Sequence, residues 1–200
     1  MIANVFIVDD DSAMREALRQ TLELAGFNVE TYANGSSFLA TCKKDCVGCL
    51  LLDVAMPDMS GQEVQAALTE RGVRIPIIFL TGHGDIPMAV RAIQAGALDF
   101  LEKPVRSAHL LERVRHALAL DEERRRTEGD AQRIQQCYGR LSQREREVMA
   151  LVISGQSSKE IARQLDLSPR TVEAHRTHVM SKMGAANVAE LVSMAAYCGD

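Results

Sequence analysis

The stretch Val47-Gly48-Cys49-Leu50-Leu51-Leu52-Asp53 decides the fold. It is a nearly continuous apolar run that ends abruptly in a carboxylate. A short run with no polar side reads as a strand buried on both faces, which is the habit of parallel sheets. The same pattern recurs along the first part of the chain. Val5-Phe6-Ile7-Val8 runs into Asp9, Asp10 and Asp11. Asn28 to Tyr32 is a further strand, Ile75 to Leu80 ends in Thr81-Gly82, and Ala97 to Leu101 is followed by Lys103-Pro104. Helical spacing fills the intervals. Met14, Ala17, Leu18, Thr21, Leu22 and Ala25 share a face, and Gly26 stops them. Ser36 to Thr41 is a short helix. Val64, Ala67 and Leu68 mark a third, with Gly61 near its start. Ile86 to Gln94 is a fourth, closed by Gly96, and Leu110, Leu111, Val114 and Leu118 begin a fifth. This alternation predicts an α/β domain: a five-stranded parallel sheet, doubly wound, with helices on both faces. In such sheets, sites collect beyond the carboxyl ends of the strands. Here three of those ends carry Asp9-Asp10, Asp53 and Thr81.

Asp9, Asp10 and Asp53 would then crowd three carboxylates together. Like charges at that range repel and raise one another's pKa unless a cation neutralises them. An all-oxygen donor set suits Mg2+. Lys103, from the end of another strand, supplies a fixed positive charge, and Thr81 supplies a hydroxyl. A carboxylate flanked by Mg2+, a hydroxyl and an ammonium suits phosphoryl transfer to the carboxylate, giving an acyl phosphate.

The pieces IVDDD, LLDVAMPDMSG, FLTGHGD and DFLEKP, spread over residues 1–118, resemble the receiver domain of two-component response regulators. The resemblance implies a flavodoxin-like sheet and a phosphoacceptor, Asp53, served by a sensor histidine kinase. It implies Mg2+ held by Asp9, Asp10, Asp53 and the backbone carbonyl of Ala55. It also implies phosphoryl contacts from Thr81 and Lys103, a switch aromatic at Phe100, and a cis Lys103–Pro104 bond that aims Lys103 inward. Haloacid-dehalogenase-type phosphatases combine similar groups, but their nucleophile follows the first strand in a D-x-D pattern. Here consecutive Asp residues follow the first strand and the lone Asp follows the third.

Residues 119–138, ALDEERRRTEGDAQRIQQCY, are dense in charge and poor in apolar side chains. They fit either a solvated extension of the fifth helix, with Gly129 as its weak point, or a partly helical linker; the linker is the favoured expectation. From Leu141 the pattern is wholly helical. Ser142 with Glu145 forms a capping box ahead of Val148, Met149, Leu151 and Val152, and Gly155 ends that helix. Ser158 to Leu165 is the next. Ser168 caps a third, with Pro169 at its first position, and Ala189 to Ala196 is a fourth.

Residues 139–200 thus predict a small all-α, four-helix domain, and SQREREV, KEIARQL and SPRTVEAHR resemble the LuxR-type helix-turn-helix module. With the receiver ahead of it, the arrangement is similar to the FixJ subfamily of transcriptional regulators. On the third helix of this domain, Val172, Val179 and Met183 share one face. Arg170, Glu173, Ala174, Thr177, His178 and Ser181 share the other, which suits entry into a major groove of double-stranded DNA. The resemblance places base readers at Glu173, Ala174 and Thr177. Lys159, Arg170, Thr171, Arg176 and Lys182 are candidates for phosphate contacts, although Arg176 falls nearer the buried face. Val188, Leu191 and Val192 on the last helix fit either pairing of two copies or internal packing.

Composition sets the bounds. The chain has 200 residues, 23 Lys plus Arg, 27 Asp plus Glu, and a net charge of -4. The charge is uneven: residues 1–118 hold 15 acids and 11 bases, residues 139–200 hold 7 and 8. No apolar run is long enough for a membrane span, and the start lacks a basic leader region. Trp is absent, which argues against single-strand binding by stacking. Five Cys, an odd number, fit reduced thiols and a cytoplasmic location. Cys42, Cys46 and Cys49 have the C-x3-C-x2-C spacing of radical S-adenosylmethionine enzymes, but Cys49 lies inside an apolar strand and no room remains for that family's barrel. Cys137 and Cys198 have no identifiable partners.

The expectation is therefore a phosphorylation-switched transcription regulator, not an enzyme. It would form a homodimer on phosphorylation through the face made by residues 86–94 and the fifth strand, with RNA polymerase as a further partner. A phospho-switched module that binds protein and no DNA is the second reading.

Overall fold

The computed structural model describes residues 4–82 and 86–198. The chain divides into two compact units, residues 1–124 and 125–200. The first alternates β1 (Asn4–Val8), α1 (Ser12–Leu24), β2 (Asn28–Tyr32), α2 (Gly35–Thr41), β3 (Cys49–Asp53), α3 (Gly61–Glu70), β4 (Ile77–Thr81), α4 (Ile86–Gln94) and β5 (Asp99–Glu102), then enters α5 (Ser107–Gly139). The five strands form one sheet in the order β2-β1-β3-β4-β5, every pair parallel. This is the doubly wound, flavodoxin-like order, as the sequence predicts.

Period-two alternation splits the strand side chains between two cores. Phe6, Val8, Leu50, Leu52, Ile77 and Phe79 pack with Phe38 and Leu39 of α2, Val64 and Leu68 of α3, and Ala92 of α4. Val5, Ile7, Cys49, Leu51, Ile78, Leu80 and Leu101 pack on the opposite face with Leu18 and Leu22 of α1 and Leu110, Val114 and Ala117 of α5. Every residue of β3 and of β4 is buried, which is why their sequences show no polar side.

Strand boundaries shift where backbone hydrogen bonding dictates. β4 begins at Ile77 rather than Ile75, because Pro76 has no N–H to give the ladder and only its carbonyl takes part, accepting from Leu50 N at 2.9 Å. β5 begins at Asp99 rather than Ala97, because Ala97 N still closes the end of α4 on Ala92 O. α2 is capped by Asn34, whose side chain accepts from Ser37 N at 2.8 Å, and so starts before Ser36.

Residues 119–138 depart from the favoured expectation. They are helical throughout, continuous with α5, and Gly129 does not break them. One glycine costs a helix only about 1 kcal/mol, and the helix is anchored along its length. Asp121 is buried and accepts from Gly48 N at 3.1 Å and from Arg124. Ile134 is buried in the core of the second unit.

That second unit contains α6 (Gln143–Ile153), α7 (Ser158–Leu165), α8 (Pro169–Met183) and α9 (Val188–Ala195). Ser142, Ser157 and Ser168 cap the first three, and Asn187 caps α9 one residue earlier than Ala189 implies. Val148, Met149, Val152, Ile161, Val172, Val179, Met183 and Leu191 form its core. Glu145 is buried there. Its carboxylate completes the α6 capping box and also receives Lys182 Nζ of α8 at 2.6 and 2.8 Å.

Two predictions follow from this packing. Gly61 lies so close to β3 that an added Cβ would clash with the Asp53 carbonyl oxygen and come within 2.8 Å of the Phe79 ring. Gly61→Ala is therefore expected to destabilise the first unit by about 2 kcal/mol or more, read as a lower urea midpoint. The Lys182 ammonium, with the Ser142 amide, holds the Glu145 carboxyl at about 2 against an ordinary 4.5. A carboxyl depressed by folding stabilises above its unfolded pKa and loses that contribution as the pH falls through its folded pKa. Glu145→Gln should therefore cost about 1–2 kcal/mol at neutral pH, and the gap from the parent should close between pH 4.5 and about 2, checked by thermal melts across that range.

Candidate phosphoacceptor site and DNA-facing helix

β1, β3 and β4 deliver their ends to one edge of the sheet. Asp9 follows β1, Asp53 closes β3 and Thr81 closes β4, and all three are buried. Asp10 is exposed at the rim. One carboxylate oxygen from each of Asp9, Asp10 and Asp53 lies within 4.8 Å of the others. Lys103 arrives one residue past β5, where its backbone N–H donates to Thr81 O at 2.7 Å and the Lys103–Pro104 bond is cis. Its ammonium is 2.6 Å from Asp9 Oδ2 and 3.1 Å from Asp53 Oδ1.

The electrostatics are those of a partly neutralised anion cluster. Burial pushes the Asp53 carboxyl above its ordinary pKa, while the Lys103 hydrogen bond pulls the other way. Burial also works against the charge on Lys103, but its bonds to Asp9 and Asp53 outweigh that and raise its pKa. Three carboxylates against the Lys103 ammonium and the Arg15 guanidinium, which donates to Asp9 O at 2.7 Å, leave the cluster net negative. Hard oxygen donors at this spacing fit a small divalent cation such as Mg2+. Both contacts on Asp53, from Lys103 Nζ and from Val54 N at 3.0 Å, fall on Oδ1.

The other residues expected at the site are placed as follows. Ala55 is exposed two residues beyond Asp53. Phe100 pairs in register with Phe79 on β4 and is half-buried against the core that contains α2, α3 and α4. His83, Gly84 and Asp85 of the FLTGHGD motif lie outside the described residues. Sequence reasoning missed Arg15, whose Nη1 donates to Asp9 O at 2.7 Å, and Gln65, whose amide ties α3 to Ala92 O and Ala95 O of the α4 end. A lone glutamine beside Val64 on an apolar helical stripe was the available signal for the second. Nothing local marks the first.

Cys42, Cys46 and Cys49 do not converge. Cys49 is buried on the α1/α5 face of the sheet, whereas Cys42 and Cys46 pack on the face covered by α2, α3 and α4.

In the second unit α8 buries Val172, Val179 and Met183 and exposes Arg170, Glu173, Ala174, Thr177, His178 and Ser181. Lys159 is exposed on α7, and Thr171 and Arg176 are half-buried. Several of these side chains are already engaged within the unit, among them Thr177, whose Oγ1 donates to Glu173 O at 3.0 Å, and Thr171, whose Oγ1 is 2.8 Å from Ser168 Oγ. Lys182 is bonded to Glu145, so its charge is partly spent before any phosphate arrives. Glu173 accepts from Ser158 Oγ. His178 Nδ1 stands 3.9 Å from Glu145 Oε1. On α9, Leu191 is buried while Val188 and Val192 are exposed, so the helix serves internal packing with one side and leaves the other open.

Residues 5–115 match the family model described as response regulator receiver domain, and residues 140–195 match bacterial regulatory proteins, luxR family. Among curated relatives, the response regulator protein TodT of Pseudomonas putida is 44% identical over 188 residues, covering 94% of this chain and 83% of TodT. The transcriptional regulatory protein FixJ of Bradyrhizobium diazoefficiens is 40% identical over 196 residues, covering 98% and 96%. Among solved structures, the response regulator StyR is similar at a TM-score of 0.90 with 42% identity, covering 98% of this chain and 99% of StyR. Full-length FixJ from B. japonicum has a TM-score of 0.62 with 40% identity, covering 98% and 96%. Among the described residues no helix is long and apolar enough to cross a membrane. The chain belongs to the two-component response regulators that join a receiver domain to a LuxR-type DNA-binding domain, and it is a phosphorylation-activated transcription regulator rather than an enzyme.

Proposed function

We propose that Asp53 accepts the phosphoryl group from a sensor histidine kinase and that this drives dimerisation and operator binding in the cytoplasm. The observation that carries the proposal is the Lys103 ammonium bridging Asp9 and Asp53 at the carboxyl edge of the sheet. Asp9, Asp10, Asp53 and the Ala55 carbonyl would hold Mg2+, which when bound supplies positive charge to the transferring oxygens. Lys103 contributes a second charge, and the Thr81 hydroxyl a hydrogen bond.

A phosphoryl group adds roughly -1.5 to -2 charge at Asp53. Drawing Thr81 toward that charge vacates space beside β4, and Phe100 turns inward to fill it. The repacked face includes α4, where Val90 and Ile93 are 48% and 46% exposed, and these supply the apolar part of a dimer contact. A complete switch from 1:99 to 99:1 requires about 5.5 kcal/mol of differential stabilisation.

The module boundaries proposed are 1–118 and 139–200, with 119–138 as a helical connector. In the DNA-bound state α8 lies in the major groove. Glu173, Ala174 and Thr177 read bases, His178 lies beside them, and Lys159, Arg170, Thr171, Arg176 and Lys182 meet phosphates. The exposed Val188 and Val192 of α9 pair the two output domains, and RNA polymerase is the partner of a promoter-bound dimer.

Asp53→Asn keeps shape and removes the acceptor charge. The variant should stay monomeric by sedimentation when treated with acetyl phosphate and Mg2+, while the parent dimerises. Acetyl-phosphate-dependent dimers of the variant would sink the assignment of Asp53. In a gel-shift salt series, binding should fall steeply, and Lys159→Ala should lower the log–log slope by about 1 without changing sequence preference. Thr177→Ala should instead relax preference at one base pair; a uniform loss over all sequences would contradict a base-reading role.

A further inference from the structure

Cys42 caps the end of α2, and the chain then turns back, with Cys46 N donating to Lys43 O at 3.0 Å. The turn brings both side chains into the wall of one cavity of about 310 Å³, open to solvent and lined also by Phe6, Tyr32 and Phe38. Both side chains pack against the same core. The Cys42 thiol donates to Lys43 O at 3.8 Å, the same carbonyl that closes the turn on Cys46 N. Cys49 is excluded from the pair by its burial on the other face of the sheet. We propose that Cys42 and Cys46 are a dithiol site that reacts with hydrogen peroxide or a small organic hydroperoxide and closes to an intramolecular disulfide.

The pair is asymmetric in the way this chemistry requires. The neighbouring Cys46 thiol lowers the pKa of Cys42 against the effect of burial, and the Arg71 guanidinium, held by Leu39 O, adds to the lowering. The neighbouring Cys42, with burial, pushes Cys46 up. Cys42 is therefore the attacking sulfur and Cys46 the resolving one. The Cys42 thiolate attacks one peroxide oxygen, the O–O bond breaks, and the departing hydroxide takes up a proton to leave as water. Cys42 then carries a sulfenic acid. Cys46, giving up its proton, attacks that sulfur; the S–S bond forms, the S–O bond breaks, and a second water leaves. Two thiols lose two electrons and one hydrogen peroxide gains them. The turn continues through Gly48, whose amide is bonded to Asp121, into the strand that ends at Asp53. The site thus sits on the backbone leading into the phosphoacceptor.

The test uses the reduced full-length chain and hydrogen peroxide near equimolar, followed by alkylation and tryptic mapping. Lys43 and Lys44 lie between the two cysteines, so cleavage separates them and only a disulfide keeps the peptides joined. The expected result is a Cys42–Cys46-linked pair that dithiothreitol releases, formed roughly tenfold or more faster than oxidation of Cys137 or Cys198. In Cys46→Ser, Cys42 should stop at a sulfenic acid that dimedone traps; in Cys42→Ser, Cys46 should give no dimedone adduct. Oxidation of Cys137 or Cys198 at the same rate, links between copies, or the absence of a linked peptide in the parent would overturn the proposal.

Discussion

The ammonium of Lys103 between Asp9 and Asp53 is the contact on which the receiver half depends. Parallel strands deliver their carboxyl ends to one edge whether or not the charges there agree, and here they deliver three carboxylates within 4.8 Å. Left alone, such a cluster would protonate or push the strand ends apart. Lys103 neutralises part of it at 2.6 and 3.1 Å without filling it. The remaining negative charge and the hard oxygen donors suit a divalent cation. Structure and chemistry thus use one device: a site short of positive charge is stable enough to fold and still suits a cation.

The same logic recurs away from that edge. Asp121 is buried on α5, and its charge is met by the Gly48 amide and by Arg124. Glu145 is buried on α6 and is met by the Ser142 amide and Lys182. Each joins segments far apart in sequence, and each would cost several kcal/mol if its partners were removed while it stayed charged and buried. Directional contacts of this kind fix register where apolar packing alone would tolerate sliding, here of α5 against the turn before β3 and of α8 against α6.

These long-range pairs also mark where sequence reading stops. The alternation of strands and helices, the sheet class, and the candidates Asp9, Asp53, Thr81 and Lys103 were legible because each is local: an apolar run, then a chemically loaded residue at its end. The capping boxes at Ser142 and Ser157 were equally readable or recoverable, being contacts over three residues. Strand starts were not, because Pro76 and the Ala97–Ala92 bond act through backbone hydrogen bonding that hydropathy does not register. The continuity of α5 was hidden because the residues that hold it, Gly48 and the core around Ile134, lie far from 119–138 in sequence. The separation of Cys49 from Cys42 and Cys46 needed knowledge of which face each occupies, and spacing alone does not give that.

The engagement of Lys182 sharpens what the small net charge of residues 139–200 means for DNA. With 8 bases against 7 acids, and one of those bases committed to Glu145, a single output unit has little electrostatic attraction to offer a polyanion. Affinity for DNA rises with each phosphate neutralised, so one copy alone is expected to bind weakly. Weakness is useful in a switch. If one copy bound tightly, phosphorylation would have nothing left to add. Two weak units held together make the second contact nearly intramolecular and gain affinity by effective concentration, with no new contact to DNA. The proposed coupling from Asp53 to a dimer therefore requires the recognition helix to be underpowered by itself, and the Glu145–Lys182 pair contributes to keeping it so while fixing α8 against α6.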